Sequence, residues 1–288
     1  MSGQAATAVD GIQETKPNFT AVYNRKWPHA YLRACLALDY MLPDRAKPIF
    51  ERIFSDYRRV RNKTKLKIID VGCSYGINAA LLRTDLDLDD LYAAYLEPSG
   101  SLSRRQEIEH RAFFRDRGLR DDIQFVGVDP SFRAVRYAQD LGLLKAGVTA
   151  DLETRDLTVS ERYALADADI LISTGCVGHA TGRTFARVYE PSARSRPWVV
   201  AFAAHRFNYD DIAAALGGFA LETRAAERFR QRQCRFSPTE RQGILQTMAK
   251  LGMDDRLERT TGYIYASCYI SAPPGEALGA LCTDIFSM

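Results

Sequence analysis

The chain has 288 residues, 46% of them hydrophobic and 26% charged, with 39 basic and 36 acidic side chains and a formal net charge of +3. That composition supports one large core, as a single domain or a domain with an elaboration. The near balance of charge gives no argument for nucleic acid or a membrane surface, so neither is expected as a partner. Six cysteines, Cys35, Cys73, Cys176, Cys234, Cys268 and Cys282, are scattered without a CxxC pair, which sets aside a disulfide scaffold and a cysteine metal site. The first 18 residues, MSGQAATAVDGIQETKPN, lack the basic and apolar blocks of a secretion signal, and the apolar run WVVAFAAH is eight residues long where a membrane span needs ~20. The expectation is a soluble, cytoplasmic protein with free thiols, and the oligomeric state is left open.

In chain order, residues 1–19 read as a flexible tail and 20–63 as a helical cap. Within the cap, Tyr31, Leu32, Cys35 and Leu36, then Ile49, Phe50, Ile53 and Phe54, recur at helical spacing, with Pro43 and Pro48 expected to break the segment into two helices. Residues 64–288 read as the main domain. KIIDVGCSYGIN, from Lys67 to Asn78, is a β-branched apolar strand running into a small-residue turn that opens a helix. Asp70 stands at the strand's carboxyl end, while Gly72 and Gly76 permit tight backbone and close ligand approach. Residues 86–122 carry two amphipathic helical patterns around Pro-Ser-Gly-Ser and read as an insertion.

The second strand, QFVGVD, ends at Asp129 and is followed by the helical pattern SFRAVRYAQDLGLL. Gly72 and Asp129 are 57 positions apart, against about 20 in a compact nucleotide-binding βαβ unit, which is why an insertion is needed. Glu97, in LYAAYLE, is the competing acidic tip; Asp129 is preferred because strand, acid and helix cap occur together. A third strand, GVTAD, ends at Asp151; a fourth, ADILIST, leads into the loop GCVGHATG; a fifth, PWVVAFAAH, ends at His205. Strands alternating with helices predict a doubly wound parallel sheet. The last third instead offers two long strand patterns around one helix, an antiparallel edge pair in which Arg228, Arg230 and Arg232 alternate as a charged guard.

On these residues the chain resembles the class I S-adenosylmethionine-dependent methyltransferases, over about residues 64–272. DVGCSYG resembles the family's acidic, glycine-rich first motif, with Ser74 in place of its usual middle glycine, and VGVDPS resembles the ribose-binding second motif. The resemblance implies a Rossmann-like, mostly parallel seven-stranded α/β sheet with a reversed C-terminal strand. It also implies a cofactor site made of Asp70, Gly72, Ser74, Gly76, Asp129, Pro130, Asp151, Leu152, Thr174 and Gly175. In that site Asp129 holds a vicinal diol, Asp151 accepts from an adenine amine against the apolar wall of Leu152, and Asp70 orients the methionine end. A nicotinamide dehydrogenase fits less well, since Gly72, Ser74 and Ile77 occupy the glycine positions of GxGxxG.

The resemblance implies methyl transfer to a small-molecule acceptor by in-line displacement, and the histidines, scattered at 29, 110, 179 and 205 without ligand spacing, together with the unclustered cysteines indicate no metal. His179 and His205, at the ends of the fourth and fifth strands, are candidate bases. Tyr23 joins them as a catalytic candidate within the aromatic run Tyr23, Arg25, Trp27, His29 and Tyr31, a segment that by resemblance covers the cofactor and offers rings to a sulfonium. Two alternatives stay open at this point: use of the cofactor's aminocarboxypropyl arm, by transfer or by ring closure with loss of methylthioadenosine and the cofactor as sole substrate, and a binding protein without catalysis.

Overall fold

The computed structural model describes residues 23–96, 104–237 and 239–276. The tail at 1–19, Glu97, the side chain of Arg228 and Cys282 lie outside the described residues. Two cap helices, α1 (His29–Ala37) and α2 (Leu42–Arg61), precede β1 (Leu66–Val71) and α3 (Ile77–Arg83). The insertion is helical, α4 (Leu88–Leu96) and α5 (Arg104–Arg117), so LYAAYL is not a strand. The chain continues through β2 (Ile123–Val128), α6 (Phe132–Asp140), β3 (Ala146–Val148), α7 (Val159–Leu165), β4 (Ile170–Thr174) and α8 (Gly182–Tyr189). It closes with β5 (Trp198–Ala204), α9 (Asp210–Gly217), β6 (Glu222–Arg235), α10 (Arg241–Lys250), α11 (Arg256–Thr261) and β7 (Tyr263–Ala272).

The seven strands form one sheet in the order β3-β2-β1-β4-β5-β7-β6. All neighbours from β3 to β5 are parallel, while β7 runs antiparallel to both β5 and β6. This is the doubly wound, Rossmann-like, mostly parallel sheet with a reversed strand near its C-terminal edge that the sequence implies. The order reverses beside β1, so β1 lies between β2 and β4, and the crevice beyond their carboxyl ends is where such sheets receive ligands. One core cluster joins the cap residues Phe50, Phe54 and Tyr57 to Ile68, Ile172 and Trp198; a second fills the opposite face around Val71, Leu171 and Val199. Burial of both faces explains why β1, β4 and β5 read as unbroken apolar runs. Among the described residues, no helix is long and apolar enough to cross a membrane.

Three expectations need correction. Pro48 does not end a helix: it lies inside α2, where burial of Ile49, Phe50, Ile53 and Phe54 outweighs one missing backbone donor. The third strand stops at Val148, so Asp151 belongs to the turn that follows rather than to a strand tip. The alternation of Arg230 and Arg232 is interrupted, because β6 carries register shifts between Ala226 and Gln231 and again between Arg232 and Cys234. Its outer edge is met by backbone as well as charge: Met41 N–H donates to Gln233 O (2.8 Å) and Arg235 N–H to Leu38 O (2.7 Å).

At the amino end of the sheet, Asp169 is buried and fully engaged. Its carboxylate accepts from Lys63 Nζ (2.5 Å), Lys67 N–H (2.8 Å) and Tyr57 OH (3.3 Å), which joins cap, β1 and β4.

Candidate functional site

The turn after β1 is wound tightly by three left-handed residues, Gly72 (φ +80°), Ser74 (φ +48°) and Gly76 (φ +77°). At Gly72 the space is also closed, because a Cβ there would lie 2.5 Å from Cys176 Cβ; at Gly76 it would lie 2.8 Å from Ala138 Cβ. Ser74 holds a conformation that costs a non-glycine residue about 1–2 kcal/mol. Its N–H donates to Asp129 Oδ2 at 2.9 Å, and Ser131 N–H donates to Asp129 Oδ1 at 2.8 Å. The tip of β2 thus fixes both the β1 turn and the start of α6, and each carboxylate oxygen keeps further acceptor capacity. Burial raises the Asp129 pKa, and the two backbone donors oppose that rise.

Asp70 is less well served. Oδ1 accepts from Asn78 Nδ2 (3.0 Å), but Oδ2 is buried and has no hydrogen-bond partner among the described residues. Burial pushes its pKa up to about 7, with the Asn78 contact lowering it and the Asp129 charge raising it. Asn78 Nδ2 also donates to Thr174 Oγ1 (3.0 Å), so one amide ties the β1 acid to the end of β4. Asn78 was not singled out from the sequence, although it is the only amide in KIIDVGCSYGIN.

Thr174 leads to Gly175, which is left-handed (φ +76°) and crowded from the cap and from β6. A Cβ there would lie 3.2 Å from Tyr40 Oη and 3.6 Å from Gln233 Nε2. Gln233 Oε1 is buried and has no partner among the described residues. The site therefore has two poles: Asp70, the Gly72–Gly76 turn and Asp129 on one side, Thr174, Gly175, Tyr40 and Gln233 on the other. Tyr40 and Gln233 escape sequence reasoning because only tertiary packing brings them to Gly175.

The segment before α1 lies over the first pole. The Tyr23 ring meets Tyr31 edge-on (5.2 Å), and its hydroxyl is raised far above the ordinary phenol range, by burial first and then by the Asp129 charge, against a lowering contact with Ser74. Asn24 Oδ1 accepts from Arg133 N–H (2.8 Å) at the start of α6, and Tyr75 OH donates to Arg25 O (3.0 Å). Trp27 packs edge-on to Tyr137 and His110, each with centroids 6.0 Å apart, which brings this strap against both α6 and the insertion helix α5. His110 is held neutral there: its Nδ1 lies 2.8 Å from Tyr137 OH, and burial pulls its pKa down to about 4.

The remaining sequence candidates fall into different settings. His179 is exposed on the loop that carries Thr174 and Gly175, its N–H bonded to Cys176 O (2.9 Å). His205 is already engaged, with Nδ1 3.1 Å from Glu258 Oε1. Pro130 is exposed beside Asp129, and Asp151 is exposed and caps its own turn, accepting from Glu153 N–H (3.0 Å). Leu152 is buried in the second core cluster.

No protein-family model matches the sequence, and no curated protein matches it. Solved structures similar to the chain include the magnesium protoporphyrin IX methyltransferase of Synechocystis PCC 6803 with bound SAM, 12% identical, covering 80% of each chain at a TM-score of 0.41. The plantazolicin methyltransferase BamL, in complex with a triazolic desmethylPZN analog and SAH, is 12% identical and covers 80% of this chain and 85% of its own at 0.41. A TehB-like SAM-dependent methyltransferase from Corynebacterium glutamicum is 14% identical and covers 74% and 85% at 0.36.

Proposed function

We propose that the chain binds S-adenosylmethionine across the carboxyl ends of β1 and β2 and directs its methyl group to a small-molecule acceptor held near Gly175. The observation that carries this reading is the unpartnered, buried Oδ2 of Asp70, beside a turn too tight for side chains. A buried carboxylate without a donor is costly, and a cationic ligand group removes the cost. The ammonium of the cofactor's methionine end is such a group. Asp129 fits the ribose, since both oxygens retain acceptor capacity at the β2 tip. When bound, the cofactor supplies an activated methyl on a sulfonium.

The rest is work for this chain's residues. Asp70, fixed by Asn78, orients one end of the ligand; Asp129 and the Ser74 turn hold the other; Tyr23 lies over Asp129, so the strap lifts for entry and closes afterward. Tyr23, Tyr31 and Tyr40 all have phenols raised well above their ordinary range by burial, so they remain neutral. They act as hydrogen-bond donors and ring faces for a sulfonium, not as bases. Where an acceptor must lose a proton, the candidate bases are His179, on the loop that carries Thr174 and Gly175, and His205, which pairs with Glu258. The cap at 20–63 and the insertion at 86–122, joined through Trp27 and His110, shape the acceptor pocket. Five free thiols among the described residues suit a reducing compartment, which we take to be the cytoplasm.

Calorimetry with S-adenosylmethionine and S-adenosylhomocysteine tests the reading, and absence of binding by both would overturn it. Product analysis follows. S-adenosylhomocysteine formed only when an acceptor is added supports methyl transfer, whereas methylthioadenosine released from cofactor alone would assign the reaction to the aminocarboxypropyl arm.

A further inference from the structure

Ser74 is out of place in the turn it occupies. Its backbone is left-handed (φ +48°), a conformation that glycine adopts freely and serine holds at a cost. The residue is 3% exposed, and its hydroxyl oxygen is buried with no hydrogen-bond partner among the described residues. The Tyr23 phenol lies beside it without the geometry of a hydrogen bond. A strained backbone and an unsatisfied buried hydroxyl each destabilise the ligand-free protein, and a glycine at this position would remove both.

The neighbouring donors are engaged within the protein. Gly72 N–H (2.8 Å) and Cys73 N–H (3.3 Å) donate to Val128 O, and Gly76 N–H donates to Cys73 O (2.8 Å). Ser74 N–H is held by Asp129, the acid assigned to the ribose, so the backbone of Ser74 serves that end and its side chain is left over. Asn78 Nδ2 carries two hydrogens, and they go to Asp70 Oδ1 and Thr174 Oγ1. Two buried groups of this pole therefore stand without partners among the described residues, and they are of opposite kind. Asp70 Oδ2 accepts when ionised, and the Ser74 hydroxyl can donate. An open acceptor and an open donor in one buried turn complement a zwitterion, an ammonium beside a carboxylate.

We infer that the Ser74 hydroxyl is a specificity-determining group that donates to the carboxylate of the cofactor's amino-acid arm while Asp70 takes the ammonium, so that the turn selects ligands carrying the complete arm. The inference rests on the proposed cofactor reading and adds to it a side chain that reads the arm rather than the nucleoside.

Titration calorimetry on the full chain tests it with three probes. S-adenosylhomocysteine carries the whole arm, S-adenosylthiopropylamine lacks its carboxylate, and methylthioadenosine lacks ammonium and carboxylate together. S74A and S74G both remove the hydroxyl, and S74G also relieves the backbone, which keeps the test valid if S74A folds poorly. Each variant should bind S-adenosylhomocysteine about tenfold more weakly than the parent, the loss expected of a charge-assisted hydrogen bond. The two carboxylate-free probes should change less than threefold. Ligand-free S74G should melt above the parent, by roughly 2–4 °C, because nothing in the fold uses the hydroxyl. A loss of S-adenosylhomocysteine affinity below threefold, an equal loss for methylthioadenosine, or a lower melting temperature for S74G would each overturn the inference. The first would leave the hydroxyl without a ligand, the second would move it to the nucleoside, and the third would make it part of the fold. A parent that binds none of the three probes would overturn the proposed cofactor reading. A parent that binds S-adenosylhomocysteine while the variants show no selective loss would overturn this inference alone.

Discussion

Two buried aspartates, Asp70 within β1 and Asp169 just before β4, occupy opposite ends of the sheet and differ in one respect. Asp169, at the amino end, accepts from a lysine, a backbone N–H and a phenol; Asp70, at the carboxyl end, has one amide donor and an oxygen with none among the described residues. Burial is the same and the partners are not, so the first acid supports the fold while the second keeps binding capacity in reserve. A buried acid is thus read by what is missing around it as much as by its position.

The largest effect should come from the satisfied acid. Asp169→Ala leaves Lys63, Lys67 N–H and Tyr57 without their acceptor and should destabilise the protein by about 3–5 kcal/mol in urea unfolding. A loss below about 1 kcal/mol would break the contrast between the two ends. Asp129→Ala should come next, lowering S-adenosylmethionine affinity at least tenfold by calorimetry and costing about 1–3 kcal/mol of stability, because Ser74 and Ser131 lose their acceptor.

Asp70→Asn should act in two directions, stabilising the ligand-free protein by roughly 1–3 kcal/mol near pH 8 while weakening the cofactor. The sign follows from its folded pKa of about 7, raised from 3.8. The folded state binds the proton more tightly, so the stability from protonated Asp70 is fully present below pH 3.8 and is lost as pH rises through about 7. Unfolding midpoints from pH 4 to 8 should show this decline in the parent and its absence in the variant. Asp151→Ala should have the smallest effect, about 1 kcal/mol or less on stability or cofactor affinity, since its exposed carboxylate caps a local turn.

The strands of the parallel half were legible because a sheet buried on both faces writes continuous apolar runs, and Asp70 and Asp129 stood out as acids closing such runs. Helix α7 was legible but overlooked: Thr158 and Glu161 form a reciprocal capping box, a signature visible in TVSE. Pro48 misled because local propensity yields to the burial of an amphipathic face. Tyr40 and Gln233 could not have been found, since neither has a local pattern and they meet Gly175 from opposite ends of the chain. The incomplete satisfaction of Asp70 was equally hidden, because a sequence shows which acids exist and not which donors reach them.

The backbone bonds between the cap and β6 set a timetable for the nascent chain. Met41 and Gln233 are 192 positions apart, yet the first donates to the second across the outer edge of the sheet. At about 5–20 residues per second, a ribosome delivers Gln233 roughly 10–40 s after Met41. During that interval the cap has no β6 to dock on, and its apolar helix faces must be shielded by the parallel strands already made or by a chaperone. The meeting of the earliest helices with the penultimate strand is therefore a closure over long sequence separation, the kind of contact that slows folding.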